Sequence, residues 1–220
     1  MINLRPRKLS KRAFVFIDGS NFYFGMRNIV SEINKNFSLL SFDFKGFTEW
    51  LVKPNKLVET RYYIGAIKKE EDNPKSEKLY LDQQKLLSRL NSQGVIVRLG
   101  QLIRYSDMTY HEKGVDVKLA VEMIRYARQN KYDIAYLISS DTDLVDAIRE
   151  VQSIGKKVIY IGFPKGQSFG LSQVADGVRI LTSEDIREFL KEKKQSRDRF
   201  KKTKKVIKKI IPIKIIKRKK

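Results

Sequence analysis

Short apolar runs alternate with stretches of helical periodicity along this chain. Residues 13–17 and 134–138 are apolar throughout, and each run has the length of a strand that is buried on both faces of a sheet. Further strands are predicted at 57–67, 95–103 and 157–161, with a last short one at 178–181. Strands that alternate with helices build a parallel sheet. The pattern therefore predicts an α/β fold with a mostly parallel central sheet and helices on both of its faces.

The intervening segments predict helices. One begins at Ser20, a second runs through 44–51, and a third begins at Asn73, which is followed by a proline that suits the first helical position, and reaches about residue 91. Two more follow Asp116 and Asp143, and a last one begins at residue 182 or 183. Residues 105–113 and 162–168 are predicted as loops.

Three acidic motifs lie after predicted strands or at the start of a predicted helix. They read IDGSN at 17–21, GVDV at 114–117 and SSDTD at 139–143. Asp18 and Asp141 each follow a predicted strand, and ligands of open α/β sheets bind outside the carboxyl ends of the strands. If these two strands are neighbours, the two carboxylates converge, and Asp116 can join them from the first turn of its helix. Asn21 lies one helical turn after Asp18 and can face the same cavity.

Helix capping is the alternative for each acid taken singly. Asp18, Asp116 and Asp143 suit helix starts, and Asp141 suits a turn. Several carboxylates gathered within a few ångströms repel one another, and a divalent cation stabilises such a group. Glu122, about 120° around the helix from Asp116, is a weaker candidate.

The amino-acid composition excludes several kinds of catalytic and metal site. The 220 residues are 41% hydrophobic, which is enough for one domain with tails. The absence of cysteine excludes disulfides, thiolate zinc sites and cysteine nucleophiles. His111 is the only histidine, so a histidine-based triad is disfavoured and oxygen ligands remain for a metal.

The net charge of +21 is concentrated at the carboxyl end of the chain. Residues 191–220 contain 16 Lys and Arg against two acidic residues, a net of +14. Such a segment adds sequence-independent affinity for nucleic acid. A solvated tail and an anionic membrane surface are the alternatives, the latter because isoleucines lie among the lysines. We favour nucleic acid because the acids suggest nuclease chemistry.

These features predict three segments. They are a basic amino-terminal segment at 1–12, a domain at 13–190 and a basic, flexible tail at 191–220. No apolar run has the length of a membrane span or of a signal-peptide core, so we expect a soluble, cytoplasmic protein with no membrane partner, although the tail leaves that open.

Four segments together resemble the NYN domain family, which belongs with the PIN-like nucleases. They are FVFIDGSN at 14–21, KGVDVKLA at 113–120, YDIAYLISSDTD at 132–143 and GKKV at 155–158. The resemblance covers about residues 13–181. It implies a Rossmann-like, PIN-like sheet with an acidic pocket that holds Mg²⁺ or Mn²⁺ and a ribonuclease activity.

The resemblance also implies the site residues. Asp18, Asp116, Asp141 and Asp143 match the family's acidic residues, as catalytic groups and metal ligands. Asn21 matches its polar residue after the first acid. Ser140 departs from the glycine usual before the third acid, and Leu144 from the aromatic residue usual after the fourth.

We therefore predict metal-assisted hydrolysis of RNA phosphodiester bonds. Asn21, Ser139 and Ser140 are predicted to bind a ligating carboxylate or the substrate, and Tyr23 is a candidate for base stacking, whereas Phe22 and Phe24 are expected in the core. Single-stranded RNA is the favoured substrate. Basic residues that precede the first strand or follow the third are candidates to track its phosphates: Lys8, Lys11, Arg12 and Arg104.

Two other functions fit parts of the sequence. A non-catalytic RNA-binding module would use the basic tail and keep the acids for capping or a structural metal. A phosphatase of the haloacid-dehalogenase type also begins with a strand that ends in an acid, but it needs two acids two residues apart, and positions 16 and 20 are Phe and Ser.

Overall fold

The computed structural model describes residues 10–31, 37–67, 69, 73–104 and 110–190. Within these ranges the strands are β1 (Arg12–Asp18), β2 (Lys56–Gly65), β3 (Ile96–Arg104), β4 (Tyr110–Lys113), β5 (Ile134–Ile138), β6 (Lys157–Gly162) and β7 (Gly177–Ile180). The α-helices are α1 (Gly19–Val30), α2 (Phe44–Leu51), α3 (Pro74–Ser92), α4 (Val115–Arg128), α5 (Val145–Ser153), α6 (Phe169–Val174) and α7 (Ser183–Ile186). Short 3₁₀ turns occur at Leu39–Ser41, Thr142–Leu144 and Arg187–Phe189.

The strands form one open sheet in the order β4-β3-β2-β1-β5-β6-β7. All neighbouring pairs are parallel except β3 and β4, which are antiparallel. The chain builds one half of the sheet outward from β1 and then returns to the other side of β1 to start β5. The strand order therefore reverses between β1 and β5, where α/β sheets of this kind bind their ligands.

Side chains of β1 alternate between two hydrophobic cores. Val15 and Ile17 belong to a cluster formed with the helices on one face of the sheet, which includes Phe22 of α1, Phe47 of α2 and Leu90 of α3. Phe14 and Phe16 belong to a second cluster on the other face, with buried residues of three further helices: Leu119 of α4, Ile148 of α5 and Leu171 of α6. This period-two alternation places a helical layer on each face of the sheet, as the sequence predicts.

Two segments differ from the sequence prediction. Residues 105–113 were expected to form a loop, but Tyr110–Lys113 pairs with β3 as an edge strand. Its sequence, YHEK, has no apolar alternation, so hydropathy could not reveal a strand that is defined by backbone pairing. Helix α6 was also not predicted, because it has only six residues and follows the polar segment 163–168. Residues 1–9 and 191–220 lie outside the described ranges, so the predicted basic segment and tail stay predictions.

Among the helices described, none combines the length and the apolar character that crossing a membrane requires.

Candidate metal centre

Asp18 and Asp141 both lie at the edge of the sheet that is formed by the carboxyl-terminal ends of the strands. β1 and β5 are parallel neighbours with Ile17 opposite Ile138, so Asp18 ends one strand while Asp141 comes three residues after the end of the other. This is the strand reversal point of the sheet. The pairing shows that the two strands are neighbours, which is the condition that the sequence prediction set for the two carboxylates to converge.

Three carboxylates form a tight group at this edge. Asp116, Asp141 and Asp143 each contribute one oxygen atom, and these atoms lie within 4.8 Å of one another. Asp116 and Asp141 are half-buried, whereas Asp143 is exposed. Because three carboxylate oxygens lie this close together and none of the side chains is fully buried, the group has the form of a cation site that solvent can reach.

Asp116 reaches this group because α4 begins beside it. Gly114 precedes the helix with φ at 74°, a left-handed conformation that favours glycine. Asp116 then lies in the first turn of α4, where unpaired amide groups favour a negative charge. The helix start was predicted, and the structure adds that Gly114 redirects the chain from the edge strand β4 into it.

Asp18 occupies a different position from the other three. Its side chain is buried, and it caps α1 by accepting a hydrogen bond from the Asn21 amide at 3.1 Å. Its other oxygen accepts bonds from the Asn21 side chain at 2.6 Å and from the Ser139 hydroxyl at 3.2 Å. Asp18 therefore adds negative charge beside the group of three while its own orientation is held by Asn21 and Ser139.

Polar side chains connect Asp18 with the segment that carries Asp141. The Ser139 hydroxyl, which bonds Asp18, also accepts from the Asp141 amide at 3.1 Å. The Ser140 hydroxyl donates to the side-chain oxygen of Asn21. The predicted site residues Asn21, Ser139 and Ser140 thus lie together, and each contacts another predicted site residue.

Capping and clustering coexist at this edge. Asp18 caps α1, and Asp141 caps the 3₁₀ turn by accepting from the Asp143 amide at 3.0 Å. Asp116 and Asp143 lie inside first turns and do not cap. The capping bonds fix two of the carboxylates in place, so capping does not compete with a second role in holding a cation.

Glu122 is not part of the group of three. It lies on the buried face of α4. Its Oε2 contacts the guanidinium of Arg61 at 2.7 Å and accepts a hydrogen bond from the Tyr63 hydroxyl at 2.8 Å. Burial and the charge of Glu122 raise the pKa of Tyr63, so its hydroxyl stays protonated and remains a donor. These contacts tie the helix that carries Asp116 to strand β2.

The aromatic residues after Asp18 are divided between core and solvent. Phe22 is fully buried, as expected, and Tyr23 is 39% exposed and available for stacking. Phe24 was also expected in the core, but it is 59% exposed. The correction follows from helix geometry, because Phe22 and Met26 fill the core-facing side of α1 and turn Phe24 outward.

Among the basic residues proposed for phosphate contacts, Arg12 lies at the amino-terminal end of the strands, opposite the carboxylates. It is the first residue of β1, at the amino end of that strand, and its guanidinium forms an ion pair with Asp133 at 2.8 Å. Lys11 is at the same end, Lys8 lies outside the described residues, and the side chain of Arg104 is also outside them. Lys165, which the sequence pattern places only in the predicted loop 162–168, is exposed in the segment after β6. Its location after a strand end was the available signal.

The donor set fits a hard divalent cation. Mg²⁺ and Mn²⁺ prefer oxygen ligands, and the group of three supplies carboxylate oxygens only. Further oxygen atoms of Ser139, Ser140 and Asn21 lie beside the group through the bonds given above. The described residues therefore match the type of ion that the resemblance implies.

Comparisons with known proteins agree with this architecture. The model of the NYN domain matches residues 12–182. The uncharacterized protein MJ0482 of Methanocaldococcus jannaschii is 36% identical over 86 residues, a match that spans 38% of this chain and only 35% of that protein. A crystal structure of the Vibrio parahaemolyticus protein of unknown function VPA0982 superposes with a TM-score of 0.59 at 22% identity, covering 83% of this chain and 99% of that one. That structure supports the fold alone.

Proposed function

Because this chain belongs to the NYN domain family, whose members are of nuclease type, we propose that it is a metal-dependent ribonuclease that hydrolyses phosphodiester bonds of RNA. One observation carries the proposal. The carboxylates of Asp116, Asp141 and Asp143 meet at the strand reversal point of the sheet. Capping of the 3₁₀ turn accounts for the proximity of Asp141 and Asp143, but it does not account for Asp116, which joins them from a different helix.

Asp116, Asp141 and Asp143 would hold Mg²⁺ or Mn²⁺, and Asp18 would add its negative charge from the neighbouring strand. When bound, such an ion lowers the pKa of a coordinated water and neutralises charge that develops on the phosphate. The ion also offsets the mutual repulsion of the carboxylates.

The chain's own residues then orient the reacting groups. Asn21 and Ser139 hold the Asp18 carboxylate with three hydrogen bonds, which keeps it in one rotamer. One carboxylate of the site would accept the proton of the attacking water as the water oxygen bonds to phosphorus and the bond from phosphorus to the leaving oxygen breaks; the leaving oxygen then takes a proton from solvent. Ser140, which is half-buried beside Asp141, is placed to bond a phosphate oxygen.

Single-stranded RNA is the proposed substrate. The site lies at an open edge of the sheet, and the exposed ring of Tyr23 on α1 offers a stacking surface for a base. The net charge of +14 at residues 191–220 adds phosphate affinity that does not depend on sequence. A flexible single strand can follow such an edge more easily than a rigid duplex.

The test is cleavage of a labelled single-stranded RNA by the purified full chain with Mg²⁺ or Mn²⁺. We expect cleavage by the wild type, loss in EDTA, and a decrease of at least about a hundredfold for Asp141→Asn. Asp146→Asn is the matched control, since Asp146 is exposed on α5 and pairs only with Arg149 among the described residues.

Equal activity of the wild type and Asp141→Asn would refute the proposal, because contaminating nuclease would then explain the cleavage. RNA that is bound but left uncut with both metals would favour the non-catalytic RNA-binding module. Turnover of a small phosphomonoester would instead favour a phosphatase.

A further inference from the structure

A small hollow lies beside the carboxylates, between α1 and the segment that follows β6. Its walls include Asn21, Phe24 and Asn28 of α1, Ser140 after β5, and Phe163 and Lys165 after β6. Two of these residues also belong to the candidate site, since the Ser140 hydroxyl bonds the Asn21 side chain and Ser140 directly precedes Asp141. The hollow is therefore adjacent to the metal centre, although none of the carboxylates is among the residues that line it.

The size of the hollow limits what can occupy it. Its volume is about 150 Å³. Pockets for drug-sized ligands begin at about 300 Å³, and a cavity of about 150 Å³ is known to accept a single benzene ring. One flat ring fits this space, whereas a whole nucleotide does not.

The walls carry the three kinds of group that recognise a nucleotide. Phe24 presents an exposed ring, and Tyr23 supports it from the side with the ring centroids 5.5 Å apart. Asn28 offers an amide donor and acceptor that have no hydrogen-bond partner among the described residues. Lys165 is an exposed cation with no ion pair in the described part of the chain.

The floor of the hollow is rigid. Phe163 is buried and packs against Phe22, with the ring centroids 6.2 Å apart. Its ring lies directly against Gly25, where an added Cβ would be 2.2 Å away. Glycine at this position lets the segment after β6 approach α1 and sets the width of the hollow.

We propose that this hollow binds one unpaired base of the RNA strand, next to the bond that is cut, with Phe24 stacking on the base and Lys165 contacting the adjacent phosphate. Asn28 bonds the edge of the base and gives the enzyme a base preference. This inference rests on the proposed ribonuclease function and adds the subsite that positions the strand over the carboxylates.

Binding is measured first, without cleavage, by fluorescence anisotropy of a labelled single-stranded RNA in EDTA. Elevated salt is used because it suppresses the contribution of residues 191–220. Phe24→Ala is expected to weaken binding about tenfold, the range of one stacked base. Lys165→Ala is expected to weaken it severalfold and to reduce the salt dependence by about one counterion.

Each variant has a matched control. Leu79→Ala removes an exposed apolar side chain from α3, and Lys157→Ala removes an exposed lysine from the opposite end of β6. Both controls should bind RNA as the wild type does. If Phe24→Ala and Lys165→Ala each bind RNA as tightly as their controls, the proposal is overturned.

Cleavage is then measured on an RNA that lacks one base beside the mapped cleavage position. Removal of the base on one side of the scissile bond should slow cleavage by the wild type about tenfold. It should hardly affect cleavage by Phe24→Ala, since that variant has no ring at position 24 to stack on the base. An equal effect on both proteins would refute the subsite and leave the ribonuclease function standing. If the wild type cuts no RNA, the proposed function fails, and the anisotropy measurement alone decides whether the hollow binds a base.

Discussion

Arg61 of β2 and Glu122 of α4 form a buried ion pair, with 2.7 Å between Nη1 and Oε2. Arg61 also contacts Glu59 and lies over the ring of Tyr126, with 4.1 Å from the guanidinium carbon to the ring centroid. Both members of the pair are largely shielded from water. The pair connects the helix that carries Asp116 to the sheet, so it fixes one side of the candidate metal centre.

Glu122→Gln is expected to destabilise the protein by about 3 kcal/mol, because Arg61 stays buried with less compensating charge. The measurement is urea unfolding at neutral pH. Glu150→Gln is the control, since Glu150 pairs with Arg128 at the surface and should cost less than about 1 kcal/mol. Equal losses for the two variants would contradict a structural role for the buried pair.

The three neighbouring carboxylates predict that metal binding reverses the order of thermal stability of the wild type and Asp116→Asn. In EDTA, Asp116→Asn should unfold at the same or a higher temperature than the wild type, because removing one of three neighbouring charges relieves repulsion of about 1 kcal/mol per pair. In saturating Mn²⁺ the order should reverse, since an ion that binds only the folded wild type stabilises it. Thermal unfolding with and without Mn²⁺ measures both effects.

Asp18→Asn should reduce the Mn²⁺ stabilisation less than Asp116→Asn does. The oxygens of Asp18 already accept bonds from Asn21 and Ser139, and an asparagine can keep part of that arrangement. Asp146→Asn should behave as the wild type in both buffers. Identical Mn²⁺ responses of Asp116→Asn and the wild type would exclude the group of three as the metal site.

The sequence predicted the sheet and the position of the acids for a specific physical reason. Strands buried on both faces leave continuous apolar runs, such as residues 13–17 and 134–138, and acids at their ends are visible without coordinates. The edge strand β4 left no such trace, because backbone pairing with β3 defines it. Helix α6 is too short for its periodicity to be read.

The candidate site was predictable only in part. The acids were found from their place after strands and at a helix start, but nothing in the sequence separates Asp18, which is held by Asn21 and Ser139, from the three that converge. The exposure of Phe24 and the place of Lys165 depend on how α1 packs against the segment after β6. That contact joins parts of the chain that are distant in sequence, so local patterns do not encode it.

Gly25→Ala is expected to destabilise the protein, although alanine favours helices. The substitution gains about 1 kcal/mol of helix propensity, but its Cβ would lie 2.2 Å from the buried ring of Phe163. Overpacking costs about 1–3 kcal/mol, and a contact this short against a buried ring falls toward the upper end of that range, so the net effect is a loss of about 1–2 kcal/mol. Thermal unfolding checks this, with Asn28→Ala on the exposed side of the same helix as the control that should lose nothing.

Asp133 predicts a pH dependence of stability. The hydrogen bonds and charge of Arg12 hold the pKa of the Asp133 carboxyl well below its usual range, while the unfolded chain has the ordinary pKa of about 3.9. A carboxyl whose pKa falls on folding stabilises the folded state above its unfolded pKa, and this contribution is lost as the pH falls toward the folded value. Urea midpoints of the wild type and Asp133→Asn should therefore differ at pH 7 and converge progressively below about pH 4. A difference that is as large well below pH 4 as it is at pH 7 would contradict the ion pair.

Removal of residues 191–220 should separate RNA affinity from catalysis. This segment carries +14 of the net charge of +21, so its loss should weaken RNA binding and flatten the dependence of the binding constant on salt. The carboxylates all lie before residue 191, so the rate at saturating RNA should stay within about twofold of the full chain. Binding titrations at two salt concentrations and single-turnover cleavage measure the two quantities. A large fall in the saturated rate would place part of the catalytic machinery in the segment, and an unchanged salt dependence would show that its charge does not contact RNA.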